Sequence, residues 1–256
     1  MKILAIGDIV GDCGTDFAVM VLPEIRRTYQ IDLCIANAEN AAEGSGITQN
    51  IYYRLSDAGV DGFTMGNHTF QKKDAVALLE KNSDIIRPAN YPDGVPGKGY
   101  MLLHACGKTI GVINLMGRFN LLNLDCPFRT ADALLEELKD KCDFVVADFH
   151  AEASSEKIAF GYYLDGRATA VFGTHTHVQT ADECILPKGT GYISDLGMTG
   201  AIESVLGIKK EIIIRRFLTQ MPQKFENAYG KARLCGAVFT IDENNRCTAV
   251  ERIAVV

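Results

Sequence analysis

The sequence has no apolar run long enough to cross a bilayer, no excess of positive charge, and only five histidines among its 256 residues. The first absence excludes a helical membrane span, which needs about 20 consecutive apolar residues. The opening segment MKILAIGDIVG is also too short an apolar stretch for a signal sequence, so neither secretion nor membrane attachment is expected. A formal charge of −6 argues against stable binding to the nucleic-acid backbone or to anionic lipid. It leaves room for a small phosphorylated substrate, because a bound cation can outweigh the overall balance locally. The eight cysteines, at 13, 34, 106, 126, 142, 184, 235 and 247, include no CxxC pair and no dense framework. Spacing therefore gives neither a disulfide scaffold nor a thiolate metal site. Several lie in apolar runs such as LCIA and LLHAC, where cysteine acts as a small hydrophobe, and the set reads as reduced thiols of a cytoplasmic protein.

Common signatures are missing as well. Glycines 7, 11 and 14 of GDIVGDCG do not make GxGxxG, and Asp8 there would repel a pyrophosphate. GKT at 107–109 lacks the P-loop spacing, no GxSxG occurs, and HAE at 150–152 is not followed by the PCxxC of zinc deaminases. Internal repeats, low-complexity segments and a convincing linker are also absent, which leaves one domain over residues 1–256 as the expected organisation.

What is present is a globular composition, 47% hydrophobic and 23% charged, arranged as alternating strand-like and amphipathic stretches. MKILAIG, DLCIANAEN, VDGFTMGNH, DFVVADFHAE and ATAVFGTHTHV read as strands. TDFAVMVLPEIRRTY, Tyr52–Ala58, KKDAVALLEKN, TADALLEELKD and SSEKIAFGYYLDG read as helices. YMLLHACGKTIGVINLMG is expected to be a hairpin with a Gly-Lys turn, and GAVFTIDENNRCTAVERIAVV a hairpin turning at DENN. Such alternation implies an α/β core.

The strand ends carry the chemistry. The five strand candidates finish in Gly7-Asp8, Glu39-Asn40, Asn67-His68, His150, and His175 with His177, so four of the five histidines lie in this set. Ligands bind outside the carboxyl ends of strands in α/β sheets. In an extended segment side chains two apart share a face, so His175 and His177 are expected to reach one point. An HxH alone is a weak signal, but five strand ends delivering oxygen and imidazole groups form a set. Asp8, Glu39, Asn40, Asn67, His150, His175 and His177 are too many ligands for one ion and suggest two sharing a carboxylate. A pair of ions roughly 3.5–4 Å apart can clamp the attacking and leaving oxygens of a displacement at phosphorus. Imidazole with carboxylate suits iron, manganese or zinc.

The motifs GD, GNH and GTHTH, in that order, resemble those of the calcineurin-like metallophosphoesterases. GDIVG, NAENAAEGSGIT, GNHTF, DFHAE, GTHTHVQTAD and SDLGMTG are similar to those of the YmdB-type bacterial phosphodiesterases, nearly end to end. The resemblance implies an α/β fold in the form of a four-layer αββα sandwich. It implies two divalent or mixed-valence ions, iron first, with Asp8 and His177 on one, Asn67, His150 and His175 on the other, and Glu39 bridging. Two positions depart from the wider superfamily: Val10 stands where a histidine is usual, and Glu39 where an aspartate is usual. Asn40 would fill the place left by Val10, its alternative being a hydrogen bond to the loop around Asp8.

His68 follows Asn67, so its side chain points away from the asparagine's if the backbone stays extended. The resemblance implies that it lies beside the phosphate and protonates the leaving oxygen, a task that suits histidine near neutral pH; a further metal ligand or a loop anchor is the alternative. The activity implied is hydrolysis of small cyclic nucleotides, 2′,3′-cyclic monophosphates first, by a metal-bound hydroxide. A phosphomonoesterase and a regulatory metal-binding protein acting through partners are the other readings. No ligand-bearing strand end has a lysine or arginine next to its ligands, which favours a monoanionic diester over a dianionic monoester. Arg118 is either a phosphate contact or a plain surface residue, His104 a structural one, and Asp195 a member of a loop whose shape matters more than its charge. A homo-oligomer is expected, with the apolar segment LGIKKEIIIRRF taking part.

Overall fold

The computed structural model describes residues 1–256. Its first half contains β1 (Lys2–Ile6), β2 (Asp8–Ile9), α1 (Gly11–Tyr29), β3 (Leu33–Asn37), α2 (Gln49–Asp57), β4 (Gly62–Thr64), α3 (Asp74–Lys81), β5 (Ile85–Ile86), β6 (Tyr100–Ala105) and β7 (Lys108–Met116). The second half contains α4 (Pro127–Leu138), β8 (Phe144–His150), α5 (Ser154–Leu164), β9 (Ala170–Thr174), β10 (Cys184–Ile185), β11 (Gly191–Ile193), β12 (Met198–Ala201), α6 (Lys210–Thr219), β13 (Ala232–Ile241) and β14 (Cys247–Val255).

The strands form two sheets. One runs β2-β12-β13-β1-β3-β4-β5, with β14 also on β13, and the other runs β10-β11-β9-β8-β7-β6. Alternation along each strand assigns its side chains to two environments. In β1, Leu4 and Ile6 pack with Ala18, Leu22 and Ile25, the stripe of α1 that faces this sheet. Ile3 and Ala5 point the other way, into a cluster with Val112, Val146 and Phe172 of the second sheet. In β8, Phe144 and Val146 join that cluster, while Val145, Ala147 and Phe149 pack under α4 and α5. The layers are therefore helix, sheet, sheet, helix, the four-layer αββα sandwich that the family resemblance implies. Phe172 and Phe239 meet between the sheets with ring centroids 6.1 Å apart, and deleting such a ring typically costs about 3–5 kcal/mol.

Strands β1, β3, β4 and β5 are parallel, as are β7, β8, β9 and β11, so each sheet brings several carboxyl ends to one edge. The first hairpin turns at Cys106-Gly107, one residue earlier than the sequence suggests. Both residues have left-handed backbone angles, φ 50° and 74°, matching the hand of strand twist. All eight cysteines are free thiols.

Candidate metal centre

Near the carboxyl ends of β3, β8 and β9 the inner face of the sandwich changes from apolar to polar. Asn37 follows Leu33 and Ile35 on that face, Asp148 and His150 follow Phe144 and Val146, and Thr174 follows Ala170 and Phe172. These polar groups, with Thr64 of β4, are wholly buried, and they satisfy one another. Asp148 accepts bonds from the hydroxyls of Thr64 and Thr174 and from Asn37 Nδ2, the last at 3.2 Å. Thr174 Oγ1 accepts in turn from His150 Nδ1 at 2.9 Å. That bond puts a ring hydrogen on Nδ1 and turns Nε2 toward the site. Burial pushes the Asp148 carboxyl up to about 6, against the opposing pull of His150 and the three donors.

Above this floor the donors gather in two groups. His150 Nε2 lies 3.0 Å from Asn67 Oδ1, 3.1 Å from His175 Nδ1 and 3.3 Å from Glu39 Oε1. Asn40 Nδ2 lies 3.4 Å from Asp8 Oδ1, 3.2 Å from His177 Nε2 and 3.0 Å from the same Glu39 Oε1. One carboxylate thus touches both groups. All seven residues named from the sequence come together.

Their backbone setting differs from the extended one expected. β3 ends at Asn37, β4 at Thr64 and β9 at Thr174, so Glu39, Asn40, Asn67, His68, His175 and His177 all lie in turns or loops beyond the strands. His175 and His177 have φ of 101° and 64°, and they serve two neighbouring points instead of one. The alternation argument for His68 fails for the same reason, because residues 67–70 form a turn. Its ring nevertheless stands beside the donors: the backbone N–H of His68 donates to Glu39 Oε2 at 2.8 Å, and Nδ1 is 2.8 Å from Asn40 Oδ1. The side chain is about a third exposed, at 35%, and Nε2 has no protein partner.

Asp8 and Glu39 are 0% and 1% exposed. Their ionic neighbours are imidazoles alone, His68, His150 and His177, with no lysine or arginine in reach. Burial raises the Asp8 carboxyl, with His177 and His150 opposing. Burial also works to raise Glu39, but His150 and His68 outweigh it and hold the carboxyl down. His150 is lowered by burial and raised more strongly by Glu39, for a net rise. Burial and then the His150 charge drive His175 down to about 3, so its imidazole is neutral. At Gly66 a Cβ would run into His150 Nε2 and Glu39 Oε2; the chain passes this close only because that atom is missing. Two buried carboxylates, amide groups and imidazoles without a fixed cation make a donor set that fits divalent metal ions.

Asp195 corrects the sequence reading, for its charge matters. It is 1% exposed and forms an ion pair with Lys157, itself 3% exposed. Its Oδ2 accepts from Thr176 N and Oγ1 at 3.1 and 2.8 Å, between the two loop histidines. Lys157 is a residue that the sequence reading passes over, although it shares the stripe of Phe160, Gly161 and Leu164 on α5, where a lysine is out of place. Asp148 was legible too, two residues before His150 on the same strand face. Arg118 is exposed, with only its backbone N–H held, by Glu156 at 3.0 Å. His104 is exposed on β6, 3.1 Å from Thr109 Oγ1 across the hairpin. A cleft of about 420 Å³ opens beside His177, lined in part by Met198, Leu206 and Arg233.

The chain is similar to proteins of known sequence and structure. A 2′,3′-cyclic-nucleotide 2′-phosphodiesterase of Bacillus subtilis (strain 168) is 48% identical over 256 residues, covering 100% of this chain and 97% of the relative. A crystal structure of a hypothetical protein from Thermus thermophilus is 45% identical with a TM-score of 0.95, covering 99% of this chain and 98% of that one. A putative 5′-nucleotidase structure from Staphylococcus aureus, 16% identical with a TM-score of 0.60 over 100% of this chain and 54% of that one, shares the fold. The family model described as YmdB-like protein matches residues 4–253, and the chain belongs to that family.

Proposed function

We propose that the protein is a metal-dependent phosphodiesterase that opens small cyclic nucleotides, 2′,3′-cyclic monophosphates in preference to others. The observation that carries this reading is the pair of donor groups joined at Glu39 Oε1. Asp8, Asn40 and His177 would hold one divalent ion, Asn67, His150 and His175 the other, with Glu39 bridging. Iron is the favoured metal, with manganese and zinc compatible with the same ligands. Bound there, the ions would supply an activated water and neutralise charge gathering on the phosphoryl oxygens.

The chain's own residues do the rest. Asp8 and Glu39 carry the negative charge that retains the cations. Thr174 and Asp148 hold the His150 ring so that Nε2 faces the site. His68 delivers a proton from Nε2 to the departing ribose oxygen as the P–O bond breaks and a water oxygen joins phosphorus, leaving a monoester. Asn40 is placed for the same ion as Asp8 and His177: its amide oxygen and nitrogen occupy similar volumes, so ligation through Oδ1 asks only that the amide turn over.

The substrate preference follows from charge. Lys157 is committed to Asp195, so no free lysine joins the donor groups to receive the second charge of a monoester. The cleft beside His177 falls in the size range of small-ligand sites and could take the nucleoside. The name of the Bacillus subtilis relative points to the same substrates. Unpaired thiols fit a reducing compartment such as the cytoplasm. Exposed Ile214, Phe217 and Leu218 of α6 are suited to a contact between copies in a homo-oligomer. The test is a metal analysis of the purified protein with a substrate panel of 2′,3′-cyclic, 3′,5′-cyclic and monoester nucleotides at equal metal loading. The 2′,3′-cyclic compounds should give the highest kcat/KM. A preference for monoesters with release of inorganic phosphate would overturn the reading.

A further inference from the structure

We infer that the buried Lys157–Asp195 pair is a positioning device that sets the His175–Thr176–His177 turn and, through it, the retention of both metal ions. The inference rests on the ligand roles proposed above for the two histidines. β9 releases the chain at Thr174, and both histidines then adopt left-handed backbone angles that residues with a Cβ rarely take. Such a conformation persists only when its surroundings over-determine it. Thr176, between them, is where the turn is gripped. Its N–H and its hydroxyl both donate to Asp195 Oδ2, at 3.1 and 2.8 Å. The other oxygen of Asp195 accepts from Gly197 N at 2.8 Å, and its own N–H donates to Thr180 Oγ1 at 2.9 Å. Asp195 is therefore fixed on its own side before it takes hold of the turn.

Lys157 reaches the same Oδ2 from α5, across from the loop. An apolar pair of similar volume would serve stability as well or better than a buried ion pair. What an apolar residue at 195 could not do is accept two bonds from Thr176. The carboxylate is there for the turn, and the ammonium lets it remain buried beside Asp8, whose charge it would otherwise face uncompensated. Neither residue touches the donor atoms of the site. Because His175 belongs to one donor group and His177 to the other, a slack turn should loosen both ions together. A fault at Asp148, which reaches His150 through Thr174, should loosen the ion on His150 more than the other.

The experiment uses the full chain loaded with metal. Thr176→Val removes one of the two bonds and keeps the shape of the side chain, and K157M/D195L removes both charges and the acceptor at once. Metal per chain is measured after dialysis against graded chelator, and the thermal midpoint is measured on the metal-free proteins. Altering a residue behind the ligands typically weakens metal affinity by about 10–100-fold. Both variants should therefore lose the two ions in parallel at about 10–100-fold lower chelator, while metal-free Thr176→Val melts close to the wild type. Chelator curves that superimpose on the wild type, whatever the midpoints, would overturn the inference and make the pair an ordinary structural one. A wild type that binds no metal would overturn the ligand assignment beneath it as well. The outcome is independent of which nucleotide is hydrolysed, so it can fail while the proposed activity stands.

Discussion

Asp148→Asn should strengthen the metal-free protein and weaken the metal-loaded one. Asp148 is wholly buried, and burial lifts its carboxyl from an ordinary 3.8 to about 6. Between those values the folded protein binds a proton that the unfolded chain has released, so folding stability falls as pH rises from about 4 to about 6. Above that window the ionised group carries its full burial penalty. That rise corresponds to about 3 kcal/mol. Asparagine removes that penalty and keeps an oxygen to accept from Asn37 and an NH2 to face the hydroxyls of Thr64 and Thr174, which can reverse their donor sense. Each kcal/mol is worth roughly 2–4 °C in a chain of this size, so at pH 8 the metal-free variant should melt several degrees higher. Below pH 4 the two proteins should converge. The same change weakens the acceptor behind Thr174 and hence the hold on His150, so the variant should surrender one ion at lower chelator. Calorimetry of chelator-treated protein from pH 4 to pH 8 gives the first quantity, and metal analysis after chelator titration the second. A metal-free Asp148→Asn that is less stable than wild type at pH 8 would refute the reasoning. It would mean that the three hydrogen bonds to the carboxylate outweigh its burial.

Three further outcomes are expected. His68→Ala should keep both ions and lose roughly 10²–10⁴-fold in turnover. The loss should shrink on a substrate with a very acidic leaving group, and metal loss with equal impairment on both substrates would make His68 a ligand. Glu39→Gln should lower occupancy at both sites, because an amide offers neither the charge nor two strong acceptor oxygens; two tightly held ions in that variant would exclude a bridge there. Gly66→Ala should fold yet bind metal poorly, since the new methyl meets His150 Nε2 and Glu39 Oε2, and normal metal content would show that this approach is not needed.

The sequence made the strands and the donor set legible for one reason. Residue type at a strand's end is a local property, and apolar runs such as FVVADFH show where the core stops and chemistry begins. The last steps of the backbone were not legible. A period of two predicts direction only while the chain is extended, and the structure leaves the strand at Asn37, Thr64 and Thr174. Beyond those points direction is set by contacts from far along the chain: Asp8 Oδ2 accepting from His175 N at 3.0 Å, Glu39 Oε2 from His68 N, Asp195 from Thr176. No window of sequence contains both partners of such a bond. Asp148 and Lys157 were readable in principle, each being a charge on a face that periodicity assigns to the interior. A charge of that kind is costly to bury, so its presence already marks work that apolar packing cannot do. Here Asp148 acts on His150 through Thr174, and Lys157 acts on the turn of His175 and His177 through Asp195 and Thr176. The turns gain their shape from the buried polar layer beneath them, so the donor set depends on residues that never reach it.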